Sequence, residues 1–205
     1  MSHFIFCDFS KMENNENSHK IVMLGTSGVG KTSILQQLQD HVFKRIVAPT
    51  VGSGVIVKEI KTRAGSVSLR IWDTAGEELY RAFTGLYSRS AVAGIIVFDV
   101  TDIVSFKELP TWINVFKQNA IDNAILYLAG NKTDLYDRRT IDKEAAEQFA
   151  CNNNMKYFEV SAKTGENIEL MFNELATELG PKIINYETVE TKVSISEQKD
   201  ESSCC

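Results

Sequence analysis

From residue 20 onward the chain alternates short apolar runs with longer stretches whose apolar residues recur at helical spacing. Runs of β character fall at residues 20–24, 55–61, 67–72, 94–100, 124–129 and 156–160. Between them, helical patterns occupy about residues 31–40, 105–120, 142–152 and 167–179. The runs at 94–98 and 124–129 are almost continuously apolar, as suits central strands covered on both faces. Ala64-Gly65 separates two alternating runs and reads as a hairpin, so one strand pair is antiparallel and the rest parallel. The pattern predicts an α/β fold, a six-stranded, mostly parallel sheet with helices on both faces.

The two ends break this rhythm. Residues 1–19 are irregular, and the Asn/Glu-rich stretch 13–18 predicts a disordered arm. Met12 is a second candidate for the translation start. Asp142 reads as an N-cap, and Gly180-Pro181 stops the last helix; residues 181–205 then read as a flexible tail. One domain is therefore expected over residues 20–180.

Composition narrows the picture. The 205 residues are 43% hydrophobic and 24% charged, ordinary values for a globular protein. A net charge of -5 argues against nucleic-acid binding, which needs a concentrated basic face. The apolar stretch 4–9 is short, lacks a basic flank and contains Asp8, so it does not read as a signal peptide. A cytosolic setting with reduced cysteines is expected. Cys7 and Cys151 have no metal-ligand spacing, and His3, His19 and His41 read as separate solvated residues.

Candidate chemistry begins after the first strand. Residues 25–32 read Gly-Thr-Ser-Gly-Val-Gly-Lys-Thr, a G-x-x-x-x-G-K-[ST] loop between a strand and a helix. Such a loop turns backbone N–H groups toward phosphate oxygens, and the helix that follows points its positive end at them. Lys31 is placed to reach the outer phosphates and the Thr32 hydroxyl to ligate Mg²⁺. Three further signals sit where other strands end. Trp72-Asp73-Thr74-Ala75-Gly76 follows the third strand, with an acid for the metal shell and a glycine for close approach to the γ-phosphate. Asn131-Lys132-Thr133-Asp134 follows the fifth and Ser161-Ala162-Lys163 the sixth. A carboxylate such as Asp134 accepts both the N1 and N2 donors of guanine; adenine offers neither, so a buried carboxylate rejects it.

With these motifs over residues 20–180 the chain resembles the Ras-like small GTPases, with a Ras-like P-loop fold, and within them the Rab family. Trp72 before Asp-Thr-Ala-Gly, the run 80–84, residues 97–101 followed by Ser105-Phe106, and the terminal Cys204-Cys205 carry the Rab resemblance. The resemblance implies GTP/GDP as ligand, Mg²⁺ as cofactor, and hydrolysis of GTP. Ser27, Gly28, Val29, Gly30, Lys31, Thr32 and Ser33 would surround the phosphates, Phe43 would cover the guanine face, and Thr50 would join Thr32 on Mg²⁺. Asp73 would hold the metal through water, and Gly76 would sense the γ-phosphate. Asn131, Lys132 and Asp134 would bind the base, helped by Ser161, Ala162 and Lys163. The switches would span about residues 42–54 and 75–90. Implied partners are an exchange factor, a GTPase-activating protein, a GDP-dissociation inhibitor, a prenylation escort and effectors; the molecule would act as a monomer.

Two departures from the family matter. Glu77 stands where the family has the glutamine that orients the attacking water. The carboxylate keeps the acceptor, loses the donor, and adds repulsion of about 3 kcal/mol at ~5 Å and an effective dielectric of ~20. Slow intrinsic turnover is the expectation, but electrostatics alone does not fix the sign: the same field could instead raise the Glu77 pKa until a protonated carboxyl donates again, or leave the group able to act as a base. The second departure is residues 51–55, Val-Gly-Ser-Gly-Val, which lack the acid and aromatic usual after the switch I threonine. An unusual partner set follows.

The tail carries Lys182, Lys192 and Lys199 against five carboxylates, so it gains nothing from anionic lipid. Stable anchoring on the cytosolic face of an endomembrane would need prenyl groups on both Cys204 and Cys205. A soluble cytosolic pool is expected beside the anchored form. Two rivals remain: a GTP-binding scaffold with negligible turnover, and a P-loop metabolic kinase. The kinase would need a basic lid, and the one arginine pair, Arg138-Arg139, reads as surface charge.

Overall fold

Every residue of β1, Ser18–Leu24, except Lys20 is buried, because the strand lies inside the sheet with helices over both faces. The computed structural model describes residues 18–45, 48, 50, 53–75 and 81–181, with backbone alone at 81–84. The sheet order is β2-β3-β1-β4-β5-β6. β2 (Ser53–Thr62) and β3 (Gly65–Thr74) pair antiparallel around the predicted turn, with Thr62 opposite Gly65, whose φ is 134°. All other pairs are parallel, with β4 at Ala93–Asp99, β5 at Ile125–Asn131 and β6 at Lys156–Glu159. The expected α/β architecture is the one observed.

Side-chain alternation divides the core between the two faces. Ile21, Met23, Ile95 and Val97 pack under α1 (Lys31–Asp40) and α6 (Ile168–Leu179). Val22, Leu24, Ile96 and Phe98 pack on the other face, under α4 (Leu109–Lys117) and α5 (Lys143–Asn152), with Tyr87 of α2 (Arg81–Ser88) and Phe106 of α3 (Ile103–Lys107). The chain therefore leaves β1 toward one face and β3, its neighbour, toward the other. That divergence opens a crevice at the carboxyl ends of the strands.

Four local expectations need correction. β1 starts at Ser18 rather than residue 20, because Ser18 and His19 pair in register with Ser68 and Leu69 of β3. His19 is buried, not solvated, and its Nε2 donates to the Gly180 carbonyl at 2.8 Å. The single helix expected at 105–120 is two, α3 and α4, because Pro110 enters the first turn of α4 and restarts the helix. Helix α2 lies inside the segment read from the sequence only as a switch. Asp142 does precede α5 but makes no side-chain capping bond. Gly180, at φ 66°, ends α6 as expected. The arm at 1–17 and the tail from 182, with Cys204 and Cys205, lie outside the described residues, as do Val51, Gly52, Gly76 and Glu77.

Candidate nucleotide site

The loop after β1 is shaped by glycines that no other residue can replace. Gly25 has φ 135°, and a Cβ there would collide with the Val97 carbonyl of β4. Gly30 has φ 101°, and a Cβ would collide with Nδ2 of Asn131. Gly30 also stands as the N-cap of α1 with no side-chain capping bond, and the first turn of the helix contains no acid. The helix N-terminus is thus left with its own donors and positive end for an anion. Lys31 is buried, and its Nζ donates to the carbonyls of Gly25 at 2.7 Å and Thr26 at 2.9 Å. Burial lowers its pKa to about 8, with Asp73 pulling the other way.

Beside the loop, three oxygen-bearing side chains converge. Thr32 Oγ1 donates to Asp73 Oδ2 at 2.6 Å and lies 2.8 Å from Thr50 Oγ1, which is 3.5 Å from the same carboxylate oxygen. Asp73 is buried, and its Oδ1 has no hydrogen-bond partner among the described residues. Burial raises its pKa against the opposing pull of Thr32, Lys31 and Thr50. Hard oxygens around an unsatisfied buried carboxylate are the donor set that Mg²⁺ accepts, so the residues fit that ion.

The opposite end of the crevice is tied together by protein–protein bonds. Asn131, at the end of β5, donates from Nδ2 to the Val29 carbonyl at 2.8 Å and accepts at Oδ1 from Ala162 N at 3.0 Å. One side chain thus joins the phosphate loop to the loop after β6. Lys132, at φ 71°, donates to the Gly28 carbonyl at 2.8 Å and pairs with Asp99 of β4 at 2.6 Å. Asp134 accepts from Ser161 Oγ at 2.7 Å and faces Lys163 Nζ at 3.2 Å. Burial pushes the Asp134 carboxyl up, but the bonds from Ser161 and Lys163 and the lysine charge outweigh it, holding the carboxyl below its ordinary value.

A cavity of about 450 Å³ runs between the two ends. The structure brings nearly all the sequence-predicted residues to it. Ser27, Gly28, Gly30, Lys31, Thr32 and Ser33 line one side, Phe43 and Thr50 a second, and Asn131, Lys132, Asp134, Ala162 and Lys163 a third. Three predicted residues act from behind the wall: Val29 through its carbonyl, Ser161 through Asp134, and Asp73 through Thr32. Gly76 and Glu77 are outside the described residues. Lys44, Arg45, Ala48 and Leu135 also line the cavity and were not anticipated. The basic pair directly after Phe43 was the available signal. Asp99, which holds Lys132, was also missed; it closes an otherwise apolar strand.

A glycine-cradled helix N-terminus, a buried lysine, an oxygen cluster and a poised carboxylate around one cavity define a P-loop nucleotide-binding protein. Residues 20–180 match the Ras family model. The chain is 39% identical to Ras-related protein Rab-30 of Homo sapiens over 168 residues, covering 82% of this chain and 83% of that one. It is 37% identical to Ras-related protein Rab-1 of Theileria annulata, over 85% of this chain and 80% of the relative. To Ras-related protein RABF2b of Arabidopsis thaliana it is 34% identical, over 94% and 97%. The chain belongs to the Ras family as a Rab-type small GTPase, an enzyme of membrane traffic that converts GTP and water to GDP and phosphate. Among the described residues, no helix is long and apolar enough to cross a membrane.

Proposed function

We propose that the protein is a slow GTP/GDP switch whose cavity reads guanine through Asp134 and whose GTP state recruits effectors to an endomembrane. The observation that carries this reading is the Asp134 carboxylate, held ionised by Ser161 and Lys163 at the end of the cavity opposite the phosphate loop. Two donors of guanine match its two oxygens, at ~1.5–3 kcal/mol per charge-assisted bond. Phe43, exposed and lining the same cavity, would cover the base.

At the other end, Lys31 exchanges its carbonyl partners for phosphate oxygens, and the α1 N-terminus donates to the same groups. Thr32 and Thr50 would hold Mg²⁺ directly and Asp73 through water; the ion would supply positive charge against the phosphate oxygens. Thr50 engages fully only with a γ-phosphate, which couples the nucleotide to the segment around it. Glu77 replaces the water-orienting glutamine, and slow turnover is the consequence. Cys204 and Cys205 would carry prenyl groups and hold the protein at the membrane, served by an escort, a dissociation inhibitor, an exchange factor and an activating protein.

The test is the nucleotide released from purified, denatured protein, with single-turnover hydrolysis of loaded GTP by wild type and Glu77→Gln. Bound guanine nucleotide and faster turnover in the variant are expected. Release of no guanine nucleotide removes the reading of Asp134; equal or slower turnover in Glu77→Gln removes the assignment of slow hydrolysis to Glu77.

A further inference from the structure

The cations lining the cavity fall into two groups. Lys31 is engaged by two backbone carbonyls, Lys132 by Asp99 and Lys163 by Asp134. Lys44 and Arg45 line the same cavity, are exposed, and form no ion pair with any described residue. Their position follows from the end of α1. His41 adopts the left-handed conformation, φ 54°, which stops the helix, and residues 42–45 then run exposed along the rim. In the chain they stand between Phe43, at the base, and Thr50, at the oxygen cluster, both of which line the cavity too.

Among the described residues lining the cavity, Asp134 is the one acidic side chain, and Ser161 and Lys163 hydrogen-bond and pair with it. Two positive charges without a carboxylate partner among the described residues therefore face a space suited to a polyanion. A guanidinium binds phosphate oxygens in bidentate fashion, and an ammonium acts on them as a point charge.

We propose that Lys44 and Arg45 form an electrostatic latch over the phosphates of the bound guanine nucleotide, retarding its release. The latch rests on the guanine-nucleotide reading of the cavity and adds a source of residence time that the glycine loop does not supply. Because both side chains are exposed, the latch is screened by salt, unlike the buried Lys31. It also gives an exchange factor an accessible target: a carboxylate offered to Arg45 would open it.

The experiment follows release of a fluorescent GDP analogue from the full chain, with excess Mg²⁺, at ~0.05 and ~0.5 M KCl. Wild type is compared with Arg45→Ala, the double variant Lys44→Ala/Arg45→Ala, Arg45→Lys and Arg45→Glu. At low salt, each exposed cation is expected to slow release by about three- to fivefold, so the double variant releases about nine- to twenty-fivefold faster. Salt accelerates the wild type toward the double variant, Arg45→Lys keeps most of the slowing, and Arg45→Glu releases fastest of the single variants. Equal rates, or a gap that salt leaves unchanged, overturn the latch while leaving guanine binding intact. A wild type that binds the GDP analogue no better than the matching ADP analogue overturns the guanine reading and the latch with it.

Discussion

The two ends of the cavity are built on opposite principles. At the base end, Asn131, Lys132 and Asp134 are each satisfied by protein partners on other elements, so the site is also a joint of the fold. At the phosphate end, Thr32, Thr50 and Asp73 point oxygens at one another, one carboxylate oxygen has no partner among the described residues, and Lys31 is folded onto carbonyls. The base end is complete without a ligand, whereas the phosphate end is complete only with one. Substitutions at the first should therefore cost folding and binding together, and those at the second should separate them.

The largest expected effect is on affinity. Asp134→Ala removes two charge-assisted bonds to guanine and should weaken GDP binding about a thousandfold, measured by competition with a fluorescent analogue. Asn131→Ala comes next. It orphans the Val29 carbonyl and the Ala162 N–H, and urea unfolding of the ligand-free protein should show a loss of ~2–4 kcal/mol. An unchanged unfolding midpoint would mean that the base end is not a joint.

Thr50→Val addresses the other end. Thr32 keeps its bond to Asp73 in the variant, so ligand-free stability should stay within ~0.5 kcal/mol. Mg²⁺ affinity of the GTP-loaded form should fall about tenfold or more in a metal titration. A variant that unfolds as easily as Asn131→Ala would erase the distinction.

The smallest effect is the pH response of Asp134. Its folded pKa is held below the ordinary aspartate value, so its contribution to stability is present above the unfolded pKa and is lost as pH falls through the folded pKa. The side-chain carboxyl ¹³C resonance of the ligand-free protein should titrate below the ordinary aspartate range, and Ser161→Ala should move it upward. No upward move in Ser161→Ala would mean that Ser161 does not hold the ion.

Most of the cavity was readable because it is written locally. A phosphate loop is one contiguous turn, and Asn131 to Asp134 is another, each placed by the strand before it. What escaped was non-local. The first residues of β1 look polar, and only the register with β3 makes them strand. Asp99 gains its role from Lys132, which stands 33 positions later in the chain. Lys44 and Arg45 fell inside the expected switch at 42–54 without a role of their own, and only the turn at His41 and the cavity wall bring them to the site. The break between α3 and α4 was legible in Pro110, and the helical period around it masked the signal.

The bond between His19 and the Gly180 carbonyl has a mechanical consequence. It fastens the first strand to the end of the last helix at the amino ends of the parallel strands, the pole opposite the nucleotide mouth. A force drawn on Gly180 is therefore taken up first by His19 in the interior strand β1, at the pole away from the nucleotide mouth.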